Sequence, residues 1–198
     1  GDEKKTEKFI FGYLAVAVPT AAFGIYLIVG SPHLPALPAA ERNPANNWQN
    51  IAERNLIILK KKLSNKPNDL QIWRLYAQTL YSLNRYEEAA KAYRQAISLT
   101  SDSANLHAAL AEALIKSKKG VVSPAASMAL ANSLEIDPGN FRARYYAGLA
   151  AAQTGNLEKA KLTWISLLSE SPSDAPWMPS LQKQIDELDS RLILTIPR

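Results

Sequence analysis

The sequence predicts an all-α protein in which three helical hairpins stack into a solenoid with flanking helices, behind one N-terminal transmembrane helix. Two observations support this fold class. The same pattern of large and small residues starts at Leu70, recurs from Ala104 and recurs again from Phe141. Residues 9–30 form a run of 22 positions without a charged side chain. A single hairpin cannot bury its own apolar face, so repetition of the pattern indicates stacking.

The repeat at residues 70–101 has large and small side chains at fixed offsets. Its pattern residues are Trp73, Ala77, Ala89, Tyr93 and Ala96. These offsets match the tetratricopeptide (TPR) repeat, a pair of antiparallel helices. Small residues are needed where the two helices touch, and the aromatic rings fill the wedge beside that contact. Asn84 lies between the helices and tolerates the left-handed conformation that ends a helix.

The other two repeats match the pattern less evenly. The third repeat, residues 141–172, carries Gly148, Gly155, Ala160, Trp164 and Pro172 at the expected offsets. The middle repeat fits only if its turn, Ser117–Ser123, is lengthened by three residues. Ser123 and Pro124 then predict the start of its second helix, with serine as the N-cap and proline in the first turn. Together the three TPR repeats occupy residues 68–172.

The N-terminal third of the chain predicts a membrane anchor. An uncharged helix over residues 9–30 would span about 30 Å, the thickness of a bilayer core. A cleaved signal peptide and a buried soluble helix are the alternatives. Three lysines lie in residues 1–8, which predicts a cytoplasmic tail and repeats outside, in a bacterial periplasm. Residues 31–47 contain four prolines and are interpreted as a semi-rigid juxtamembrane linker.

Helices are also expected on both sides of the repeats. Residues 48–67 predict an N-terminal half-repeat helix that packs on the first hairpin. One broad apolar face is expected there, comprising Ile51, Ile58, Leu59 and Leu63. Residues 173–198 predict a C-terminal capping helix and tail. Apolar residues recur in it at helical spacing, namely Leu181, Ile185, Leu188 and Leu192. Such a helix would cover the last hairpin, as the end of a solenoid requires.

Composition and motifs argue against an enzyme. The chain has no cysteine, which excludes disulfides, thiolate catalysis and covalent haem attachment. The net charge of +5 comes mostly from scattered basic residues, so nucleic acid is not expected as a partner. No metal or cofactor is expected either. His107 is interpreted as a packed, hydrogen-bonded helix residue, with a haem or metal ligand as the alternative. Glu87 and Glu88 lie at a helix start, where the helix dipole explains them.

A binding groove is the predicted functional feature. In stacked hairpins, the first helix of each repeat lines the concave surface. The predicted groove residues are Gln71, Arg74, Gln78, Tyr81, Asn105, Glu112, Ile115, Arg142, Tyr145 and Leu149. Apolar and aromatic residues alternate with donors, a mixture that suits an amphipathic helix or a chain terminus. An arginine in such a groove would pair with a carboxylate.

Several segments resemble the CcmI / CycH / NrfG family of bacterial cytochrome c maturation. The segments are GSPHLPALPAAER after the uncharged stretch, NKPNDLQIWRLYAQTL, NRYEEAAKAYRQAI, the lengthened turn IKSKKGVVSPAASMALANSLEIDP, and LTWISLLSESPSDAPW. The resemblance covers about residues 12–177. It implies a TPR chaperone in the periplasm, anchored in the bacterial inner membrane, that holds apocytochrome c through its C-terminal segment. It also implies membrane-bound haem lyase subunits as partners, to which the apoprotein is delivered.

Two other functions remain open from the sequence. One is a membrane-anchored receptor for import or secretion, with repeats that bind amphipathic targeting helices. The other is a scaffold that holds two membrane proteins together. Topology would identify the first, and peptide binding by the repeats would argue against the second.

Overall fold

The computed structural model describes residues 44–100, 103–172, 174–175 and 177–195. From Trp48 onwards the described residues belong to one compact unit. The predicted membrane span at residues 9–30 lies outside the described residues. None of the helices that are described combines the length and apolar character needed to cross a bilayer.

Eight helices make up the described part of the chain. They are α1 (Pro44–Asn65), α2 (Leu70–Ser82), α3 (Tyr86–Ser98), α4 (Ala104–Ser117), α5 (Pro124–Ile136), α6 (Phe141–Gln153), α7 (Leu157–Glu170) and α8 (Met178–Thr195). Helices α2–α3, α4–α5 and α6–α7 form the three hairpins, and α8 packs on α7. The prediction of three hairpins with flanking helices is confirmed. Helix α1 begins at Pro44, so the last four residues of the predicted linker are helical.

The small residues of the repeat pattern lie where the helices touch. Ala77 and Ala89 are fully buried in the first hairpin, beside the buried ring of Tyr93. Asn84 adopts φ +60°, the left-handed conformation expected between the helices. Close approach of two helices requires small side chains at the crossing, which explains why alanine occupies these positions.

The lengthened turn of the middle hairpin is present and is held from outside. Ser123 caps α5 by accepting a hydrogen bond from the Ala126 amide, as predicted. The side-chain amide of Gln153, at the end of α6, forms two hydrogen bonds with the turn. Its Nε2 donates to the Gly120 carbonyl at 2.7 Å, and its Oε1 accepts from the Val122 amide at 2.9 Å. The turn is therefore tied to the third hairpin.

Two core clusters run through the solenoid. The larger one joins α1 to the first two hairpins and reaches Tyr146 of α6. The smaller one joins α6, α7 and α8 around Trp164 and contains Leu181, Ile185 and Leu188. Helix α8 therefore packs on the last hairpin, at the place predicted for the C-terminal helix. Tyr145 packs against both clusters, at the junction between them.

Helix α1 buries a different face from the predicted one. Ala52, Leu56 and Leu63 face the core, whereas Ile51 and Ile58 are about half exposed. The prediction grouped Ile51 and Ile58 with Leu63, which is wrong because the contact with the first hairpin lies farther around the helix. An apolar stripe on α1 therefore remains uncovered within the described part of the chain.

Candidate peptide-binding groove

A single carboxylate connects the first helices of all three hairpins. Glu112 of α4 accepts hydrogen bonds at Oε1 from the Tyr81 hydroxyl of α2 (2.9 Å) and from the Tyr146 hydroxyl of α6 (3.0 Å). Its Oε2 lies 3.2 Å from Nε of Arg142, also on α6. Charge-assisted hydrogen bonds of this kind are stronger than neutral ones. The Glu112 cluster, defined by these four residues, thus fixes the relative positions of the three hairpins along the groove.

The two phenols of the Glu112 cluster stay protonated at any physiological pH. Burial raises the pKa of Tyr81, and the neighbouring Glu112 carboxylate raises it further. The same causes, in the same order, raise the pKa of Tyr146. Both hydroxyls therefore act as donors, and the cluster carries one carboxylate and one guanidinium.

A cavity of about 470 Å³ opens beside this cluster, between α4, α6 and the start of α8. We call it the groove cavity. Its lining residues are Asn105, Glu112, Asn140, Phe141, Arg142, Tyr145, Tyr146, Trp177, Ser180 and Leu181. The volume falls within the range of about 300–1,000 Å³ that is typical of ligand pockets. It can therefore take a few anchoring side chains of a larger ligand.

One wall of the groove cavity is aromatic. The rings of Phe141 and Trp177 lie 4.7 Å apart between centroids, tilted by 49°. Trp177 is 40% exposed, and its Nε1 donates to the Ser171 hydroxyl at 3.2 Å. Next to this wall, the ring of Tyr145 stacks on the buried indole of Trp164 with centroids 5.9 Å apart. An aromatic pair in which Trp177 is exposed and Phe141 is partly buried is a suitable anchor for an apolar side chain.

The facing wall is polar and has unused donors. Arg142 contacts Glu112 through Nε at 3.2 Å, and apart from Glu112 its guanidinium forms no ion pair or hydrogen bond among the described residues. The Arg142 side chain is about half exposed. Asn140, buried as the N-cap of α6, donates from Nδ2 to Oδ1 of Asn105 at 3.0 Å. This wall can therefore bind an acceptor such as a carboxylate.

The structure brings together only part of the predicted groove set. Asn105, Glu112, Arg142 and Tyr145 line the groove cavity, and Tyr81 joins them through Glu112. The predicted residues of α2 farther from the cluster, Gln71, Arg74 and Gln78, are exposed but do not line this cavity. Leu149 lies farther along α6, in a smaller hollow of about 300 Å³ between α6 and α8.

One predicted groove residue belongs to the core. Ile115 is 1% exposed, so its side chain cannot contact a ligand, and the prediction for this position is wrong. It lies near the end of α4, where the lengthened turn folds back and the Gly120 amide donates to its carbonyl at 2.9 Å. Val122 of that turn packs against the same core cluster. Ile115 and, from the lengthened turn, Val122 therefore belong to the same apolar cluster.

The aromatic wall was not predicted from the sequence. Phe141 was placed only at the start of the third repeat, and Trp177 only within residues 173–198, the predicted capping helix and tail. The signal available in the sequence was a large aromatic side chain five residues after Pro172, the closing proline of the last repeat. Ser180 and Leu181 of α8 also line the cavity, so the capping helix forms part of the groove.

His107 and Glu88, which were weighed as site residues from the sequence, take part in packing and in an ion pair. Nδ1 of His107 is buried without a hydrogen-bond partner within the described part of the chain. This histidine is therefore packed as expected, but the expected hydrogen bond at Nδ1 is not formed there. Burial lowers the pKa of His107. Glu88 accepts two hydrogen bonds of 2.7 Å from Arg85, whose guanidinium lowers the pKa of that carboxyl. Among the described residues, no group of three histidine or carboxylate side chains could hold a metal ion.

Comparison with known proteins identifies a family. Residues 39–178 match the family described as the TPR domain of cytochrome c-type biogenesis protein H. Cytochrome c-type biogenesis protein CycH of Bradyrhizobium diazoefficiens is 31% identical over 172 residues, which cover 86% of this chain and 47% of that protein. CycH of Rhizobium meliloti is 31% identical over 180 residues, covering 89% and 46% respectively. This chain spans about half the length of these curated relatives.

A solved structure supports the fold. The crystal structure of MamA superposes with a TM-score of 0.60 at 18% sequence identity, covering 81% of this chain and 87% of that one. At that level of identity the likeness concerns the arrangement of helical hairpins only. It agrees with the TPR repeats predicted from the sequence.

Proposed function

This chain belongs to the cytochrome c-type biogenesis protein H TPR family, and from that premise we propose that it is a binding protein for apocytochrome c. In this proposal the groove captures the C-terminal segment of the apoprotein. The chain then delivers the segment to the membrane-bound haem lyase subunits that ligate haem. No step of this function requires bond chemistry by the chain itself, since its role is to bind and present a polypeptide.

The observation that carries the proposal is the two-sided groove cavity. Its aromatic wall, Phe141 and Trp177, can hold an apolar side chain of the client. Its polar wall offers the terminal amino groups of Arg142, which can form paired hydrogen bonds with a carboxylate. A segment with an apolar residue near a carboxylate, at a chain terminus or on an acidic side chain, would satisfy both walls.

The Glu112 cluster supports the proposal by making the groove rigid. Arg142 is held at Nε by Glu112, which is itself fixed by two tyrosine hydroxyls from neighbouring hairpins. A client tail that is unfolded before binding loses conformational entropy when it is captured. A preorganised receptor adds no ordering cost of its own, so more of the contact energy appears as affinity.

A membrane anchor is also part of the proposal. The uncharged residues 9–30 would tether the repeats to the bacterial inner membrane, with the repeats in the periplasm, where haem ligation partners would be within reach. The absence of cysteine agrees with a protein that handles the apoprotein and carries no covalently attached haem of its own.

Peptide titration tests the groove. The full chain in detergent is titrated with a fluorescent peptide corresponding to the C-terminal segment of an apocytochrome c, and the Kd is measured by anisotropy. Charge-assisted hydrogen bonds contribute about 1.5–3 kcal/mol, so Arg142→Ala should weaken binding roughly 10- to 100-fold. Trp177→Ala should weaken it by a similar factor because it removes half of the aromatic wall.

Matched variants make the test specific. Arg74→Ala removes an exposed arginine of α2 that does not line the groove cavity, so it should leave the Kd unchanged. Amidation of the peptide terminus should reproduce the Arg142→Ala loss if the carboxylate is the terminal one. Unchanged binding by both Arg142→Ala and Trp177→Ala, with both proteins folded, would rule out this groove. Tight binding of unrelated amphipathic helices instead would favour a receptor for targeting helices.

A further inference from the structure

The first helix of the described chain carries an apolar stripe that no other described element covers. Trp48, Ile51 and Ile58 of α1 are 42%, 48% and 52% exposed. They are separated by three and seven residues, a spacing that places them on one side of an α-helix. The core-facing residues Ala52 and Leu56 lie on a different side, so the stripe is not part of the contact with the first hairpin.

Basic side chains share this stripe. Arg54 follows Ile51 by three residues, and Lys61 and Lys62 follow Ile58 by three and four. All three are exposed, and within the described residues none forms an ion pair. The acidic residue of α1, Glu53, faces the first hairpin instead, where its carboxylate lies 3.5 Å from Arg85. The stripe is therefore both apolar and positively charged.

We propose that this stripe of α1 lies on the surface of an anionic lipid bilayer. An interfacial helix buries an apolar face at the headgroup boundary, and its Lys and Arg side chains contact anionic lipids. The indole ring of a tryptophan at the interface anchors such a helix. Each of these groups is present on α1 in the required register. A second copy of the chain fits less well, because two such stripes would bring like charges together.

Chain connectivity places a bilayer within reach of the stripe. Residues 31–43 separate the uncharged stretch from Pro44, where α1 begins. Thirteen residues extend to at most about 45 Å, and a semi-rigid Pro-rich chain of that length would span about 40 Å. A bilayer held by residues 9–30 would thus be present at high effective concentration, and a weak interfacial contact would suffice for docking.

This inference rests on the membrane tether of the proposed function but not on the groove. Docking of α1 would hold the solenoid at a defined height and orientation above the membrane. Client capture by the groove would then occur at a fixed position relative to membrane-bound partners. Groove affinity measured in detergent does not depend on this docking, so the two proposals fail separately.

The absence of cysteine allows a site-specific test in the full chain. Ile58→Cys and Ile57→Cys are each labelled with a polarity-sensitive fluorophore, and the proteins are reconstituted into vesicles of phosphatidylcholine and phosphatidylglycerol. Ile57 is the matched control, since it is the neighbouring residue, is 71% exposed and lies about 100° around the helix from Ile58, outside the apolar face of Trp48, Ile51 and Ile58. Quenching by acrylamide from the water and by spin-labelled lipid from the membrane is then compared.

Docking predicts opposite behaviour for the two labels. The label at residue 58 should be shielded from acrylamide several-fold relative to that at residue 57, and should be quenched by spin-labelled lipid. Arg54→Gln combined with Lys61→Gln and Lys62→Gln, or pure phosphatidylcholine vesicles, should reduce the shielding.

Three results would overturn the proposal. Equal accessibility of the two labels in anionic vesicles would show that α1 is not docked. Shielding that rises with the protein-to-lipid ratio would show that a second copy covers the stripe. If the chain did not float with vesicles, it would not bind membranes, and both the proposed tether and the proposed docking would be wrong. Peptide affinity in detergent would still test the groove separately.

Discussion

Replacing Gly148 by alanine should destabilise the third hairpin through a collision with Trp164. A Cβ built at Gly148 would lie 2.8 Å from the indole carbons Cδ1 and Cε2 and closer still to Nε1. Trp164 is 1% exposed and lies at the centre of the smaller core cluster, so displacing the indole would disturb the side chains packed around it. Its Nε1 also donates to the Tyr145 carbonyl at 3.0 Å, a bond that any displacement would weaken.

Three contributions determine the size of the effect. Overpacking a close-packed core costs about 1–3 kcal/mol. Weakening the indole hydrogen bond costs about 0.5–1.5 kcal/mol. Alanine favours the helix over glycine by about 1 kcal/mol, which offsets part of the loss. The free energy of unfolding should therefore fall by about 1–3 kcal/mol, which for a domain of this size lowers Tm by roughly 3–10 °C.

Urea titration and thermal melting of the single and double variants form the assay. Trp164→Phe removes the indole Nε1 and shrinks the ring, so Gly148→Ala should cost less in that background than in the wild type. Gly155→Ala is the control, because Gly155 has φ +83° and an added Cβ meets nothing within 4 Å. Its cost arises from the left-handed backbone and should not be relieved by Trp164→Phe. A Gly148→Ala protein as stable as the wild type, or a double variant with strictly additive losses, would refute the collision.

Two further predictions concern charged groups. Glu112→Ala should lower the free energy of unfolding by about 2–3 kcal/mol, since it leaves the hydroxyls of Tyr81 and Tyr146 without their acceptor. Glu112→Gln keeps a carbonyl oxygen as acceptor and should cost roughly half as much, as measured by urea titration. Equal losses in the two variants would show that the acceptor does not determine the stability. The hydrogen bonds from Arg144 and Ser166 lower the pKa of Glu170 to about 2 from an ordinary value of 4.5. The stabilisation from Glu170 is therefore complete above about pH 4.5 and is lost as the pH falls towards 2, and NMR titration of its carboxyl should show the pKa returning towards its ordinary value in Arg144→Gln.

The sequence predicted the hairpins well because their determinants are local. The offsets of Ala77, Ala89 and Trp164 within each repeat specify which positions touch, and the structure buries each of them. Ser123 and Asn84 likewise behave as predicted, since capping and a left-handed turn depend on residues a few positions apart. Family membership was also predicted correctly, because the segments that carry the repeats and the lengthened turn are local stretches of sequence.

Predictions that depended on which face of a helix is covered were less accurate. Ile115 was expected in the groove, yet it is buried in the larger core cluster. Ile51 and Ile58 were expected in the core, yet the first hairpin contacts α1 farther around its circumference. In both cases the periodicity showed that an apolar face exists. The packing of other segments decided where that face points.

By itself, the sequence determined that the chain forms stacked helix pairs, how many hairpins it has, and where the irregular turn lies. These features follow from helix propensity, capping and small-residue spacing within about 34 residues. Only the tertiary structure decided the composition of the groove. Its aromatic wall joins Phe141 to Trp177, and its polar wall joins Glu112 to Arg142, which lie on different helices. Such contacts depend on the angles at which successive hairpins pack, and no local spacing in the sequence encodes those angles.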